Sequence, residues 1–233
     1  MIDVRPYARL GAFRNDWLNS RFHFSFADYH DGARMGFGRL RVWNDDEIAA
    51  GTGFDPHPHR DMEIITYVRQ GAITHRDSLG NEGRTKAGDV QVMHAGTGIV
   101  HAEYNLESTP TTLFQIWIIP DKRGVAPGWD AREFPKLGGG LAVLASGREA
   151  DATGDALHLY ADAAVLAGTL AKGETVRVPL APGRGAYLVP ASGSVTVNGV
   201  ALGTRDGAAV TGETELAITA TEDAEVVLVD VVA

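Results

Sequence analysis

Short runs in which Val, Ile, Leu and aromatic residues alternate with polar ones recur along the whole chain, and turn-forming residues separate them. Successive side chains on a strand point to opposite faces, so a period of two marks a sheet with one face toward a core. The pattern predicts strands over 21–27, 39–44, 62–70, 71–77, 90–93 and 112–119, then over 141–145, 185–189, 194–197, 208–211, 214–219 and 224–229. Asn198-Gly199 is a hairpin signal between two of them, and the Gly-rich stretch 78–83 carries similar turn chemistry. Segment 162–170 fits a helix or a strand. Long helical periodicity is scarce, so the fold class is all-β.

A weak internal repeat divides the chain. Gly71-Ala72-Ile73-Thr74, a turn and Lys86-Ala87-Gly88-Asp89-Val90 resembles Gly193-Ser194-Val195-Thr196, a turn and Arg205-Asp206-Gly207-Ala208. Both copies read as strand, hairpin, strand and a Gly-rich return. The Pro-, Gly- and charge-rich stretch 121–140 reads as the connection, giving domains 1–135 and 136–233. A chain of 233 residues is long enough for two small domains.

The chemistry-bearing residues fall in the first copy. His57-Pro58-His59 and His101-Ala102-Glu103 each place two ligand-type side chains at i and i+2, on one face of an extended segment. Three imidazoles and a carboxylate suit a divalent iron, manganese, nickel, copper or zinc ion, with room for water or substrate on a metal that accepts more ligands. Aligning the repeats on Gly71 and Gly193 puts Pro179 and Ala181 opposite His57 and His59, so only the first half is expected to hold a metal. His23, His30 and His75 read as polar turn residues, each isolated from a second same-face ligand. His94 reads as a polar turn residue and His158 as a surface or structural one. Phe37, Trp43, Phe54, Met93 and Phe114 read mainly as barrel core, and none is assigned to substrate.

Composition narrows the partners. Lys and Arg total 21 against 30 Asp and Glu, a formal net charge of -9, which leaves no broad basic field for direct nucleic-acid or anionic-membrane binding. The absence of cysteine removes disulfides and thiolate chemistry. No apolar run reaches the length of a spanning helix and the first residues show no secretory pattern, so the expected location is cytoplasmic.

Gly51, five residues, His57-Pro58-His59, three residues and Glu63, closed by Gly71, resembles the first cupin motif. Gly88, five residues, His94, then His101 and Asn105 resembles the second, with two extra residues before His101 and a His at position 94 where Pro is usual. The strings HPHRDMEIITYV, AGTGIVHAEYN, FHFSFADYHD, RVWNDD and LFQIWIIP resemble the pirin branch of the cupins, in particular the bacterial pirin-like quercetin 2,3-dioxygenases. The resemblance is dense over 21–129 and thinner beyond.

That resemblance implies a bicupin, two β-barrels of the double-stranded β-helix type, with one metal in the N-terminal barrel. It implies the ligands His57, His59, His101 and Glu103, and Fe(II) as the ion, for which Zn, Mn, Ni, Co or Cu can substitute. It implies cleavage of a flavonol such as quercetin by O2 with release of CO, with Glu103 the first candidate for the base and Glu63 the second. Glu63 falls on the same strand face as His57 and His59 if no irregularity intervenes. The alternative is a metal- or redox-sensing module that regulates through a protein partner; a purely structural ion is the third reading.

Overall fold

The computed structural model describes residues 1–134 and 138–232, so the expected boundary between 135 and 136 lies outside the described residues. The all-β expectation holds: apart from two 3-10 turns, the regular elements among the described residues are strands. They form two seven-stranded and two four-stranded sheets.

The halves repeat one plan. In the first, the four-stranded sheet runs Gly53–His59, Ile99–Tyr104, Ala72–Asp77, Glu82–Lys86; in the second, Thr175–Pro179, Glu215–Ala220, Val195–Val197, Val200–Leu202. The strand carrying His57 and His59 thus corresponds to the one ending at Pro179, as the aligned repeats require. The seven-stranded sheets match as well, with central strands Glu63–Gln70 and Thr111–Ile118 answering to Arg184–Ser192 and Ala224–Val232. Two edges depart from simple chain order. Strand Ile2–Arg5 pairs with Gly207–Val210 in the second half's sheet, and Gly128–Arg132, inside the stretch read as a connection, adds an edge to the first half's sheet by pairing with Val90–His94.

Alternation on the central strands explains the assembly. Ile65, Tyr67, Val90, Val92, Phe114, Ile116 and Ile118 of the first large sheet share one buried cluster with Val165, Tyr187, Val189, Val227 and Val229 of the second. The two large sheets therefore pack against each other through one face each. The opposite face of the second sheet, including Ala164, Leu166, Leu188, Val226 and Leu228, closes an apolar core with Leu216 and Ile218 of its small sheet. The stretch left undecided between helix and strand is strand Ala163–Leu170; both of its faces are buried, which removes the polar alternation that announces a strand.

His23 sits at this inter-barrel contact rather than in a turn. It is buried, its Nδ1 lies 2.9 Å from the Tyr187 hydroxyl, and Arg5 donates a hydrogen bond to its carbonyl. A Cβ on Gly207 would collide with the Tyr187 hydroxyl and His23 Nδ1, so the strand next to this pair needs glycine there. Burial pushes the His23 imidazole down to about 3. Its neutral form contributes stability that is complete above the ordinary histidine value near 6.5 and is lost as pH falls toward 3. Urea unfolding from pH 7 to pH 4 should show the wild type losing stability relative to His23→Gln, on the order of 3 kcal/mol at the acid end. Parallel curves for the two proteins would remove His23 from the acid response.

Candidate metal centre

The inner face of the first barrel is polar where that of the second is apolar. Parity sets this: Ile64, Thr66 and Val68, then Leu113, Gln115 and Trp117, alternate with the residues that face the second barrel. Leu18, Ile48, Val68, Ile73 and Leu113 form an apolar cluster, and Ile64, Met93, Ala95 and Ile99 form another. A cavity of about 750 Å³ opens in this barrel beside these clusters and is lined by His57, His59, His101, Glu103, Gln115, Asp46 and Ser20, with Trp17, Phe54 and Trp117 among its aromatic walls.

Pairing brings the histidines together. Strand Ile99–Tyr104 runs antiparallel to Gly53–His59 with His101 opposite His57, and a register shift follows between His101 and Glu103. One ring nitrogen from each of His57, His59 and His101 falls within 4.8 Å of the others. His75, His101 and Glu103 form a second group within the same limit, so Glu103 joins the cluster through His101.

The electrostatics suit a cation. Burial, then the neighbouring His57, pushes His59 down to about 4; burial, then His57, His59 and His75, pushes His101 down to about 2. Both imidazoles are therefore neutral, with lone pairs free, at neutral pH. His101 Nε2 is buried without a hydrogen-bond partner. An orphaned imidazole nitrogen beside two others fits a divalent first-row metal, whose bond would satisfy it.

Neighbours set which nitrogen is free. Asp55 carbonyl oxygen lies 2.7 Å from His57 Nδ1, so Nδ1–H donates to it and Nε2 keeps the lone pair. His101 depends on a buried relay. Asp77 Oδ2 lies 3.0 Å from His75 Nε2, and His75 Nδ1 lies 3.4 Å from His101 Nδ1. A proton on His75 Nε2 makes its Nδ1 an acceptor for His101 Nδ1–H, again leaving Nε2 for metal. Trp129 stacks on His75 at 4.9 Å between ring centroids.

Reading His75 as isolated is corrected here: its partner lies across the sheet, since His101 pairs with Asp77 and Glu103 with His75 in register. The signal available in sequence was His75-x-Asp77, an i, i+2 pair on one strand face. Glu103 is buried. Gln91 Nε2 donates to Oε1 at 2.6 Å and Gln115 Nε2 to Oε2 at 2.8 Å, with Thr66 adding a longer bond. Burial, opposed by these three donors, pushes its carboxyl up to about 7.

Glu63 lies elsewhere. Gly53–His59 and Glu63–Gln70 are separate strands in different sheets, with Asp61 at a positive φ of 47° between them, so the same-face expectation fails at this turn. Its parity is that of Ile65 and Tyr67, which points it at the second barrel. There its Oε2 accepts hydrogen bonds from His94 at 2.7 Å and from the Tyr160 backbone at 3.0 Å, and it is absent from the cavity lining. His94 is thus the partner of Glu63 rather than a turn residue. His158, exposed beside Tyr160, and His30, also exposed, belong to neither ligand group. Of the five aromatic or sulfur side chains considered for the cavity, only Phe54 lines it; Trp43 and Phe114 belong to the inter-barrel core, as core was expected.

Fold and site define a two-barrel cupin, the bicupin expected, with a histidine cluster in one barrel. The pirin family model matches residues 3–118, and a model described as a quercetinase C-terminal cupin domain matches residues 143–231. The chain belongs to the pirin family. It is 59% identical over 232 residues to a pirin-like protein of Caulobacter vibrioides, covering 99% of each. It is 42% identical over 231 residues to a quercetin 2,3-dioxygenase of Escherichia coli, covering 99% of this chain and 98% of that one. The crystal structure of the bacterial pirin YhhW from Escherichia coli in complex with nickel(II) superposes with a TM-score of 0.93 at 41% identity, over 99% of both chains.

Asp77→Asn and His75→Phe should each weaken divalent-metal binding about 10- to 100-fold in competition titrations, as loss of a ligand's own hydrogen-bond partner does elsewhere. Unchanged affinity in both would show that the relay does not set the His101 nitrogen.

Proposed function

We propose that this chain is a metal-dependent quercetin 2,3-dioxygenase that opens the central ring of a flavonol with O2, both oxygen atoms entering the product and one carbon leaving as CO. The observation that carries the reading is the union in one cavity of three converging imidazoles with a buried carboxyl near neutrality. His57, His59, His101 and Glu103 are the residues that would hold the ion, Fe(II) being preferred on family resemblance; nickel(II) in the related Escherichia coli pirin supports a divalent site. When bound, such an ion supplies positive charge that favours the ionised form of an enolic hydroxyl and electronic coupling to dioxygen.

The chain's own residues supply the rest. Trp17, Phe54 and Trp117 offer flat apolar walls to a polycyclic ligand and keep water from it. Glu103 accepts the proton of the substrate hydroxyl; burial raises its carboxyl above the ordinary glutamate value, which makes it a stronger base than an exposed glutamate. Gln91 and Gln115 hold its two oxygens in place, so the proton arrives at a fixed carboxylate. Glu63, bonded to His94 and the Tyr160 backbone outside the cavity, is left as a link between barrels, and the base role falls to Glu103. The chemistry is assigned to the N-terminal domain, 1–135, and none to the domain 136–233, whose described large sheet packs against the back of the first.

Fe(II)-loaded protein mixed with quercetin in air should bleach the flavonol absorbance with oxygen uptake and CO release. Glu103→Gln should retain measurable metal and lose about 100-fold or more in turnover, the scale of a positioned general base. Normal turnover in that variant removes Glu103 as base. No bleaching by the loaded wild type, together with a protein partner captured only in one iron oxidation state, would replace the enzyme reading with the regulatory one.

A further inference from the structure

The cavity has a second polar wall that the metal chemistry does not use. Ser20, on strand Leu18–Phe22, and Asn44 and Asp46, on strand Leu40–Ile48, belong to the large sheet, whereas the imidazoles come from the small sheet facing it. Antiparallel pairing sets Ser20 opposite Asp46 and Phe22 opposite Asn44, so all three polar groups share the inward face. All three line the cavity, and each is more than nine-tenths buried. The same strand face continues into Leu18 and Ile48, which are apolar core.

This polar patch is only half satisfied from within. Ser20 Oγ donates to Asp46 Oδ1, while Asp46 Oδ2 has no hydrogen bond among the described residues. Asn44 Oδ1 is buried with no partner. Burying an unpaired amide oxygen and a carboxyl costs free energy that neither strand recovers by itself. The matching interior of the second barrel uses Leu166, Leu188, Val226 and Leu228, so the fold does not require polar groups on its large sheet. Asn44 Oδ1, with the second oxygen of Asp46 beside it on the same strand face, is complementary to hydrogen-bond donors on a ligand in the same cavity.

We infer that Ser20, Asn44 and Asp46 form a subsite for hydroxyl groups on the far end of an aromatic ligand, selecting polyhydroxylated rings over bare ones. This rests on the flavonol reading above and deepens it. Asn44 Oδ1 and Asp46 Oδ2 each accept one hydroxyl proton, and Ser20 fixes the Asp46 carboxyl so that Oδ2 faces the ligand. A ligand with a catechol ring can bond both groups; an unsubstituted phenyl ring leaves the buried Asn44 Oδ1 unpaired, which is where discrimination arises.

The test measures dissociation constants of quercetin and of 3-hydroxyflavone, which lacks the distal hydroxyls, on metal-loaded protein under argon. Wild type should bind quercetin about tenfold or more tightly than 3-hydroxyflavone, the worth of one to two buried hydrogen bonds. Asn44→Leu and Asp46→Asn should each shrink that ratio to about threefold or less, with melting temperature and metal content tracked as controls. Asp46→Asn keeps an acceptor for Ser20 and answers the question if Asn44→Leu does not fold. A ratio unchanged in the folded variants, or no preference in the wild type, overturns the subsite. Tight, hydroxyl-dependent binding with no oxygen uptake on admitting air supports the subsite and sinks the dioxygenase reading alone.

Discussion

The first large sheet has to be dry on one face and polar on the other, and most of the molecule follows from that demand. Its central strands place Ile65, Phe114 and Ile116 against the second barrel and Thr66, Gln91 and Gln115 into the first. A slip of one residue in either strand would exchange these sets, burying amides between the barrels and turning apolar side chains onto Glu103. Register is therefore fixed by the inter-barrel core, and the same register aims the amides at the Glu103 carboxyl. The second barrel thereby contributes to the site without lending it a side chain.

A polar interior carries a cost that the second barrel avoids. Asp46 and Glu103 are both buried, and burial pushes each carboxyl up to about 7. His59 and His101 are pushed the other way by the same cause. One cavity thus holds neutral bases and near-neutral acids, an arrangement that a bound cation stabilises by giving the imidazole lone pairs and the carboxylate charge a partner. The second barrel's interior is filled by apolar side chains instead.

The duplicated β plan and the shared face of each i, i+2 pair were readable, because strand order and spacing are local patterns that survive without coordinates; the barrels, and the meeting of His57 and His59 with His101, followed only from the cupin resemblance. Strand ends were harder to read: the segment expected at 21–27 is strand Leu18–Phe22, and that at 39–44 extends to Ile48. Edge strands were missed, since Ile2–Arg5 and Gly128–Arg132 are short and their partners lie far along the chain. Glu63 was misplaced because one positive-φ residue, Asp61, resets strand parity between it and His59. His75 was undervalued because its partner His101 is adjacent only across the sheet. In each case, information needed from a neighbouring strand or a single turn outweighed a pattern that was correct within its own segment.

Counting metal per chain tests the central claim most directly. After loading with a divalent ion and desalting, elemental analysis should find about one equivalent in the wild type and close to none in folded His101→Ala, since this imidazole belongs to both ligand groups. A full equivalent retained by that variant, or two equivalents in the wild type, would contradict a single centre built on His57, His59 and His101.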